Sequence, residues 1–319
     1  MDIKLLDSEQ ALTNQEVVEM TKFRGIYTAP VTAFTPDDQI DETAYRRLLD
    51  FIVTEGSHGI IAPGGIGEFS VLSEDERREL IEIVVDEVGG RVPVLAGVGG
   101  IATPYIIRLV EHAQQAGVDG YMLTNPYYTN WAEDELYAHF LAICQSTDLP
   151  CMLYNNPFTT KIDVSVELLC RLADNTPNFR YVKDTTYDVT RVSQIISASQ
   201  GKLIVFAGLD DMSLESFMMG AEGWVAGVSN VLPREAVELF ELADKGKYDE
   251  ARQLYVRLLP FMTRIEREAK GIQCLRTALE MMGMPVGGSR RPALPLTSEQ
   301  TAELRDYLVQ LGVPVLETA

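Results

Sequence analysis

Near its middle the chain contains the stretch Phe179-Arg180-Tyr181-Val182-Lys183-Asp184-Thr185-Thr186, in which a strand pattern runs into a polar loop. Lys183 interrupts the apolar pattern at the point where the strand should end. In a barrel of alternating strands and helices, the carboxyl ends of the strands form the mouth where chemistry occurs. A lysine held there in partly apolar surroundings loses proton affinity and becomes a nucleophilic amine that forms Schiff bases with ketones. The alternative is a lysine that reaches into solvent from the end of a strand.

The chain contains seven more short runs rich in β-branched residues. Together with this strand they alternate with longer amphipathic segments, as in βα units. The predicted strands cover residues 25–34, 59–63, 92–98, 120–125, 150–155, 179–185, 203–209 and 224–229. The predicted helices between them include residues 42–55, 74–88, 104–116, 133–146 and 164–173. Eight such units that close on themselves form a (β/α)₈ TIM barrel of roughly 250 residues, and this is the α/β fold that we predict. A doubly wound open sheet is the alternative, disfavoured because no GxGxxG turn follows the first strand.

The length of 319 residues suits one large α/β domain. We expect an N-terminal extension over residues 1–22, a catalytic barrel over residues 23–246 and a C-terminal helical extension over residues 247–319. The last segment shows only helical periodicity, and no linker rich in Gly, Ser or Pro precedes it. We therefore expect its helices to pack on the barrel and not to form an independent domain.

Charge and composition restrict the possible partners. The formal net charge of −20 would repel the phosphates of a nucleic acid. No apolar run approaches the roughly 20 residues that cross a bilayer, and the N-terminus lacks the basic start and apolar stretch of a signal peptide. We expect a cytoplasmic protein without a nucleic-acid or membrane partner. A solvated acidic surface accounts for most of the charge, and a saline cytoplasm is the alternative.

No metal or other cofactor is expected from the sequence. The four cysteines lie far apart without a CxxC pair, which favours buried free thiols over disulfides or metal ligands. The three histidines are scattered without the spacing of metal ligands, and structural roles are favoured for them. These residues are Cys144, Cys151, Cys170, Cys274, His58, His112 and His139.

Several predicted strands run into segments suited to binding or catalysis. The second strand continues into Pro63-Gly64-Gly65-Ile66-Gly67-Glu68, whose glycines allow consecutive N–H groups to point at one spot, as in an anion-binding nest. An ordinary tight turn is the alternative. No Gly-Lys-Ser/Thr follows, so a small carboxylate fits better than a phosphate. The fourth strand ends in Asn125-Pro126-Tyr127-Tyr128 and the fifth in Tyr154-Asn155-Asn156-Pro157, which places tyrosines at two more strand ends.

Taken together, the segments GGIGE, PYY, YNNP, VKD and GLDD resemble, in their order and spacing, the dihydrodipicolinate synthase / N-acetylneuraminate lyase family of Schiff-base-forming (β/α)₈ enzymes. The resemblance covers nearly the whole chain from about Phe23 onward. It implies Lys183 as the Schiff-base lysine and Tyr154 as the acid/base hydroxyl beside it. It also implies that the partner is a small 2-oxo acid, whose carboxylate lies on the backbone of Gly64, Gly65, Ile66 and Gly67.

The same resemblance implies further site residues and an assembly. Tyr128 matches a tyrosine that family members commonly contribute across a dimer interface, and the family implies a homotetramer built as a dimer of dimers. The remaining substrate-binding candidates are Thr159, Gly208, Asp210 and Gly227. In such a site the ketone condenses with Lys183, and the iminium accepts electrons from a C–C or C–H bond at C3. Tyr154 would shuttle the protons, which requires no metal.

Departures from the family pattern bear on the substrate. Synthases of the lysine pathway characteristically carry Thr-Thr in the loop and an Arg shortly after the YN motif, whereas this chain has Gly65-Ile66 and Phe158-Thr159-Thr160-Lys161. Lys161 supplies a point charge but lacks the fork geometry of Arg. The segments GGIGEF, NPYY, YNNP and VKDT are most similar to the branch that acts on 2-keto-3-deoxy sugar acids. We therefore predict a pyruvate-releasing aldolase or a dehydratase of such an acid. The alternatives are dihydrodipicolinate synthase, N-acetylneuraminate lyase and a non-catalytic protein that binds a 2-oxo acid.

Overall fold

The computed structural model of the chain describes residues 23–316. Its centre is a closed barrel of eight parallel strands, in which neighbours follow chain order and the first strand pairs with the eighth. The strands are β1 Gly25–Thr28, β2 Gly59–Ala62, β3 Val94–Val98, β4 Gly120–Thr124, β5 Cys151–Asn155, β6 Phe179–Asp184, β7 Ile204–Ala207 and β8 Gly223–Ala226. The predicted TIM barrel is confirmed, and the open sheet is wrong. The predicted N-terminal extension, residues 1–22, lies outside the described residues.

Helices follow the strands and surround the barrel. They are α1 Glu42–Thr54, α2 Glu74–Val88, α3 Thr103–Ala116, α4 Glu133–Cys144, α5 Pro157–Thr160, α6 Val166–Asn175, α7 Thr190–Ala198, α8 Ser213–Met218, α9 Pro233–Asp244, α10 Tyr248–Arg267, α11 Gly271–Met281 and α12 Ser298–Gln310. The last three form the predicted C-terminal helical extension. The long helix α10 packs on the barrel, where the Tyr255 hydroxyl donates to the Asp211 carbonyl at 2.6 Å.

Local sequence signals account for several helix ends. At the start of α2, the Ser73 hydroxyl accepts a hydrogen bond from the Glu76 N–H, and the Glu76 carboxylate accepts one from the Ser73 N–H. This capping box satisfies two backbone donors that the helix itself leaves unpaired. The helix ends at Gly89, whose φ of +56° lies in the left-handed region that favours glycine.

The interior of the barrel is filled by one set of inward-facing side chains. They are Phe23, Tyr27, Ala29, Ile61, Leu95, Met122, Met152, Tyr181, Phe206 and Val225. Because side chains alternate along a strand, Lys183 faces the same side of β6 as Tyr181, and Tyr154 faces the same side of β5 as Met152. Both therefore point inward one layer closer to the carboxyl ends of the strands.

The first strand is shorter than predicted. The prediction covers residues 25–34, but β1 ends at Thr28 because the chain leaves the barrel at Pro30, which has no N–H to donate to a sheet. The apolar residues that follow are buried elsewhere: Phe34 forms a single antiparallel bridge with Ile40, and its N–H donates to the Val286 carbonyl at 2.9 Å. The apolar run thus marks burial against the C-terminal segment and not a longer strand.

Candidate active site

Lys183 and Tyr154 face each other across two neighbouring strands. They are register partners in the pairing of β5 with β6. The Lys183 side chain is 6% exposed, and its Nζ lies 4.0 Å from the centre of the Tyr154 ring. The lysine predicted from the sequence therefore lies inside the barrel mouth and does not reach into solvent. An amine placed between an aromatic ring and the apolar barrel interior is poorly hydrated, as a Schiff-base nucleophile requires.

A cavity of about 430 Å³ opens above this pair, within the size range of small-molecule sites. Seven of the predicted site residues line it, namely Gly65, Ile66, Tyr154, Thr159, Lys183, Gly208 and Gly227. Four others, Gly64, Gly67, Tyr128 and Asp210, are not part of its wall. The wall also includes residues that were not predicted, among them Tyr127, Asn156, Thr185 and Glu266.

The glycine-rich loop after β2 presents unpaired backbone donors to the cavity. Within the described chain, the N–H groups of Gly65 and Ile66, which line the cavity, donate to no other protein group, and neither does that of Gly67, which lies outside the wall. A Cβ atom at Gly65 would have no heavy atom within 4 Å, so the loop leaves open space where a larger residue would project. Unpaired N–H groups beside open space suit a small carboxylate.

The end of this loop is anchored by a buried ion pair. Glu68 has a left-handed φ of +58°, and its carboxylate accepts hydrogen bonds from Arg276 Nε at 2.9 Å and Nη2 at 2.7 Å. The same guanidinium also donates to the backbone carbonyls of Thr32, Val286 and Gly287. The last residue of the GGIGE segment therefore holds the loop on α11 and does not enter the cavity.

Asn156 orients the Tyr154 hydroxyl. Its Oδ1 caps the short helix α5 by accepting from the N–H groups of Phe158 at 3.1 Å and Thr159 at 3.3 Å. This fixes the amide so that Nδ2 donates to the Tyr154 hydroxyl at 2.8 Å. The hydroxyl therefore accepts from Asn156 and keeps its own proton available for the cavity. The prediction missed Asn156 as a site residue, although an Asn followed by Pro is a helix-start signal.

Asp210, predicted to bind substrate, is fully buried, and its carboxylate makes only internal hydrogen bonds. Its carboxylate accepts from Trp224 Nε1 at 3.0 Å, Gly227 N at 3.0 Å and Val228 N at 2.6 Å. Burial raises the pKa of this carboxyl to about 6, and the three donors act in the opposite direction. Asp210 therefore fixes the backbone after β8 and contacts the cavity only through it.

Two glycines allow the backbone to approach the cavity closely. A Cβ atom at Gly227 would lie 2.7 Å from Cδ1 of Ile66, and one at Gly208 would lie 1.9 Å from Oγ1 of Thr185. Any larger residue at either position would force the cavity wall to shift. Only glycine fits at these two positions without moving the wall, and each contributes only its backbone to the cavity.

Glu266 on α10 enters the cavity wall from outside the barrel. Its Oε1 accepts a hydrogen bond from the Asp210 N–H at 3.0 Å. Burial, followed by the charge of Asp210, raises the pKa of Glu266 to about 8, whereas the charge of Lys183 lowers it. Nothing in the sequence distinguishes this glutamate from the other charged residues of a long amphipathic helix.

Tyr128 and Lys161 point away from the cavity. Tyr128 is 94% exposed with a φ of +87°, and the neighbouring Tyr127 lines the cavity, with its ring centre 6.4 Å from that of Phe69. A role for Tyr128 across a dimer interface stays a prediction. The Lys161 ammonium donates to the Phe158 carbonyl at 2.8 Å, so it does not supply the cationic anchor considered for that position.

Several other predictions concern residues away from this cavity. All four cysteines are free thiols, three of them buried, as predicted. Among residues 23–316, no group of three or more His, Cys, Asp or Glu side chains could hold a metal ion. In the same part of the chain, none of the helices combines the length and apolar character needed to span a bilayer.

Comparison with known proteins yields a consistent set of matches. The sequence model of the Dihydrodipicolinate synthetase family matches residues 22–311. A 4-hydroxy-tetrahydrodipicolinate synthase of Oceanobacillus iheyensis is 35% identical over 286 residues, 90% of this chain and 96% of the relative. The crystal structure of dihydrodipicolinate synthase from Aquifex aeolicus aligns with a TM-score of 0.89 at 31% identity, over 92% of this chain and 100% of the other. A chloride-inhibited dihydrodipicolinate synthase from Acinetobacter baumannii complexed with pyruvate gives 0.88 at 30% identity, over 92% and 100% of the two chains.

Proposed function

The chain belongs to the dihydrodipicolinate synthetase family, and from this premise we propose that it is a lyase in which Lys183 forms a Schiff base with a 2-oxo acid. The observation that carries the proposal is the buried Lys183 amine 4.0 Å from the ring centre of Tyr154, in a cavity that also contains unpaired backbone N–H groups. The structural relative from Acinetobacter baumannii is complexed with pyruvate, which supports a small 2-oxo acid as the ligand.

The residues divide the chemistry between them. The N–H groups of Gly65 and Ile66 would hold the carboxylate of the acid. The Lys183 amine attacks the ketone carbon, and loss of water gives the iminium, which accepts the electron pair of the bond broken at C3. The Tyr154 hydroxyl, oriented by Asn156, would donate and recover the protons of the carbinolamine and of the substrate hydroxyl.

For the rest of the substrate we infer a 2-keto-3-deoxy sugar acid, either cleaved to pyruvate and an aldehyde or dehydrated. The lining supports a neutral hydroxylated tail, since Thr159 offers a hydroxyl and Glu266 a carboxyl group. Lys183 is the one cationic side chain among the described residues of the wall. A carboxylate-bearing aldehyde would need a further cationic anchor, worth about 1.5–3 kcal/mol as a charge-assisted hydrogen bond.

The second candidate is 4-hydroxy-tetrahydrodipicolinate synthase. It is favoured by the name of the relative from Oceanobacillus iheyensis, and further relatives at similar identity carry the same name. Members of one fold family can differ in substrate when the residues around the reacting atoms differ. The substrate must therefore be inferred from the site residues and not from the shared fold. Gly65, Ile66 and Thr159 are the positions where this site departs from the pattern of the lysine pathway synthases.

Parallel assays separate the two candidates. We expect turnover of at least one 2-keto-3-deoxy sugar acid, and a kcat/KM for condensation of pyruvate with aspartate semialdehyde at least about tenfold lower, the factor that about 1.4 kcal/mol gives. Borohydride with pyruvate should attach one adduct to Lys183, located by peptide mass spectrometry. Efficient condensation without activity on any sugar acid would establish the synthase instead. An adduct on another lysine would overturn the mechanism.

The assembly and location of the protein are also proposals. We propose a homotetramer arranged as a dimer of dimers in the cytoplasm, acting on a small molecule without a nucleic-acid or membrane partner. The near-complete exposure of Tyr128 in the single chain supports the assembly, because that side chain needs a partner subunit to take part in a site.

A further inference from the structure

Glu266 is a carboxyl without a cationic partner in the wall of the Lys183 cavity. Its Oε1 is occupied by the Asp210 N–H at 3.0 Å. Within residues 23–316, its Oε2 makes no hydrogen bond to a protein group, and no Lys, Arg or His nitrogen lies within 4.0 Å of it. Glu266 is partly exposed, and its Oε2 is not among the buried polar atoms that lack a partner, so this oxygen is accessible. The geometry leaves Oε2 for a group that enters the cavity.

We propose that Glu266 is a specificity-determining residue that binds hydroxyl groups on the tail of the substrate and disfavours a tail carboxylate. The inference rests on the proposed function, because it concerns the tail of the 2-oxo acid that Lys183 holds. A hydroxyl can accept from a protonated carboxyl and donate to an ionised one, so it is satisfied in both states. A carboxylate only accepts, and the ionised form of Glu266 repels it.

The surroundings of Glu266 make this selection depend on pH. Asp210 and Asp211 face it from the turn after β7, Lys183 from β6, and Tyr187 from the loop after β6. Arg267, the next residue of α10, is ion-paired with Asp211. With a pKa of about 8, Glu266 passes from mainly neutral at pH 6.5 to mainly ionised at pH 9.5. Rejection of an anionic tail should therefore increase as the pH rises.

A matched pair of ligands isolates this effect. The acids 2-oxoglutarate and 5-hydroxy-2-oxopentanoate have the same chain of five carbons. They differ only at C5, which is a carboxylate in 2-oxoglutarate and a hydroxymethyl group in 5-hydroxy-2-oxopentanoate. Each is trapped on Lys183 of the full-length protein with cyanoborohydride, and the adduct is quantified by intact mass. Any effect of pH on the condensation at C2 is common to both acids, so it cancels in the ratio of their trapping rates. We expect the ratio of hydroxy acid to 2-oxoglutarate to rise at least about tenfold between pH 6.5 and pH 9.5.

The variant Glu266→Gln should abolish the rise. Glutamine keeps an oxygen to accept from the Asp210 N–H and keeps a donor for the cavity, but it cannot ionise. The control Glu268→Gln removes an acidic charge just after the same helix, where the carboxylate pairs with Arg264 and does not line the cavity, and should leave the rise intact. A merely structural role for Glu266 would change the trapping of both acids equally and leave the ratio unaffected.

The outcomes separate the two proposals. A ratio that is the same in Glu266→Gln as in the wild type at pH 9.5, or that still rises with pH in Glu266→Gln, would overturn the role of Glu266 alone, since adduct formation would still support the Schiff base. If neither acid nor pyruvate forms an adduct with Lys183 in the wild type, the proposed function fails, and the role of Glu266 fails with it.

Discussion

Among single residues, Tyr154 depends most on its surroundings for its proposed role. Its ring lies beside the Lys183 amine, and its hydroxyl accepts from Asn156 at 2.8 Å. A hydroxyl that already accepts one hydrogen bond is directed to donate its proton elsewhere, and the cavity is the space that remains. The ring thus packs against the lysine while the hydroxyl is placed to transfer a proton, and a mutation can remove the hydroxyl without removing the ring.

The variant Tyr154→Phe should retain part of its Schiff-base formation with pyruvate but lower kcat by about 10² or more, the usual loss for a missing general acid/base. The ring packing against Lys183 remains, and only the hydroxyl is deleted. Tyr127→Phe is the matched control, because Tyr127 lines the same cavity without a proposed catalytic role. Steady-state kinetics and borohydride trapping measure the two effects separately. An unchanged kcat in Tyr154→Phe would show that Tyr154 only fills space.

The site residues differ in how far the sequence indicates them. Lys183 and Tyr154 are predictable because each interrupts or ends an apolar strand, and the carboxyl ends of parallel strands meet at one mouth. Glu266 is not, because it lies on a helix whose distance from the mouth depends on tertiary packing. Asp210 is predicted to bind substrate, but its carboxylate accepts hydrogen bonds from three internal donors, which only the structure shows.

Among the elements, the loop after β2 is positioned by contacts far away in the sequence. Its Glu68 pairs with Arg276 of α11, and that guanidinium also donates to the carbonyls of Val286 and Thr32. The backbone donors that should hold the carboxylate of the substrate are therefore fixed from the C-terminal extension. This gives the extension a direct part in the site.

The variant Arg276→Met should lower the free energy of unfolding by about 3–5 kcal/mol, because it leaves the buried Glu68 carboxylate without its counter-charge. It should also raise the KM for the 2-oxo acid, since the loop loses its anchor. Urea unfolding followed by circular dichroism measures the first effect. Arg46→Met is the control, because Arg46 forms ion pairs on the surface, where such pairs contribute about 0–1 kcal/mol. Equal losses in the two variants would contradict an anchoring role.

The regular elements are predictable where their signals are local. Helix α2 follows the predicted residues 74–88 because a capping box begins it and a glycine ends it. The end of β1 is not predictable in this way, because the apolar residues 29–34 suit a strand as well as they suit burial against the C-terminal segment. Pro30 ends the strand, and the Phe34 N–H donates instead to the Val286 carbonyl, which lies more than 250 residues away in the chain.

At the scale of the whole molecule, the formal net charge of −20 is the dominant feature. Many acidic side chains have partners, as in the ion pairs of Arg46 and Arg91 with the carboxylates around them. Others are exposed and make no ion pair in the described part of the chain, among them Glu79, Glu111 and Glu238. Uncompensated like charges repel one another and destabilise the compact state.

Salt should therefore stabilise the protein. Raising KCl from 0.1 M to 1 M shortens the Debye length from about 10 Å to about 3 Å, which screens repulsion between distant carboxylates more than attraction within close ion pairs. We expect Tm to rise by at least about 3 °C, the shift that roughly 2 kcal/mol produces in a chain of this size. The triple variant Glu79→Gln, Glu111→Gln and Glu238→Gln should show a smaller rise in differential scanning calorimetry, because less repulsion remains to be screened. A Tm that stays constant or falls with KCl would mean that ion-pair attraction outweighs the excess charge.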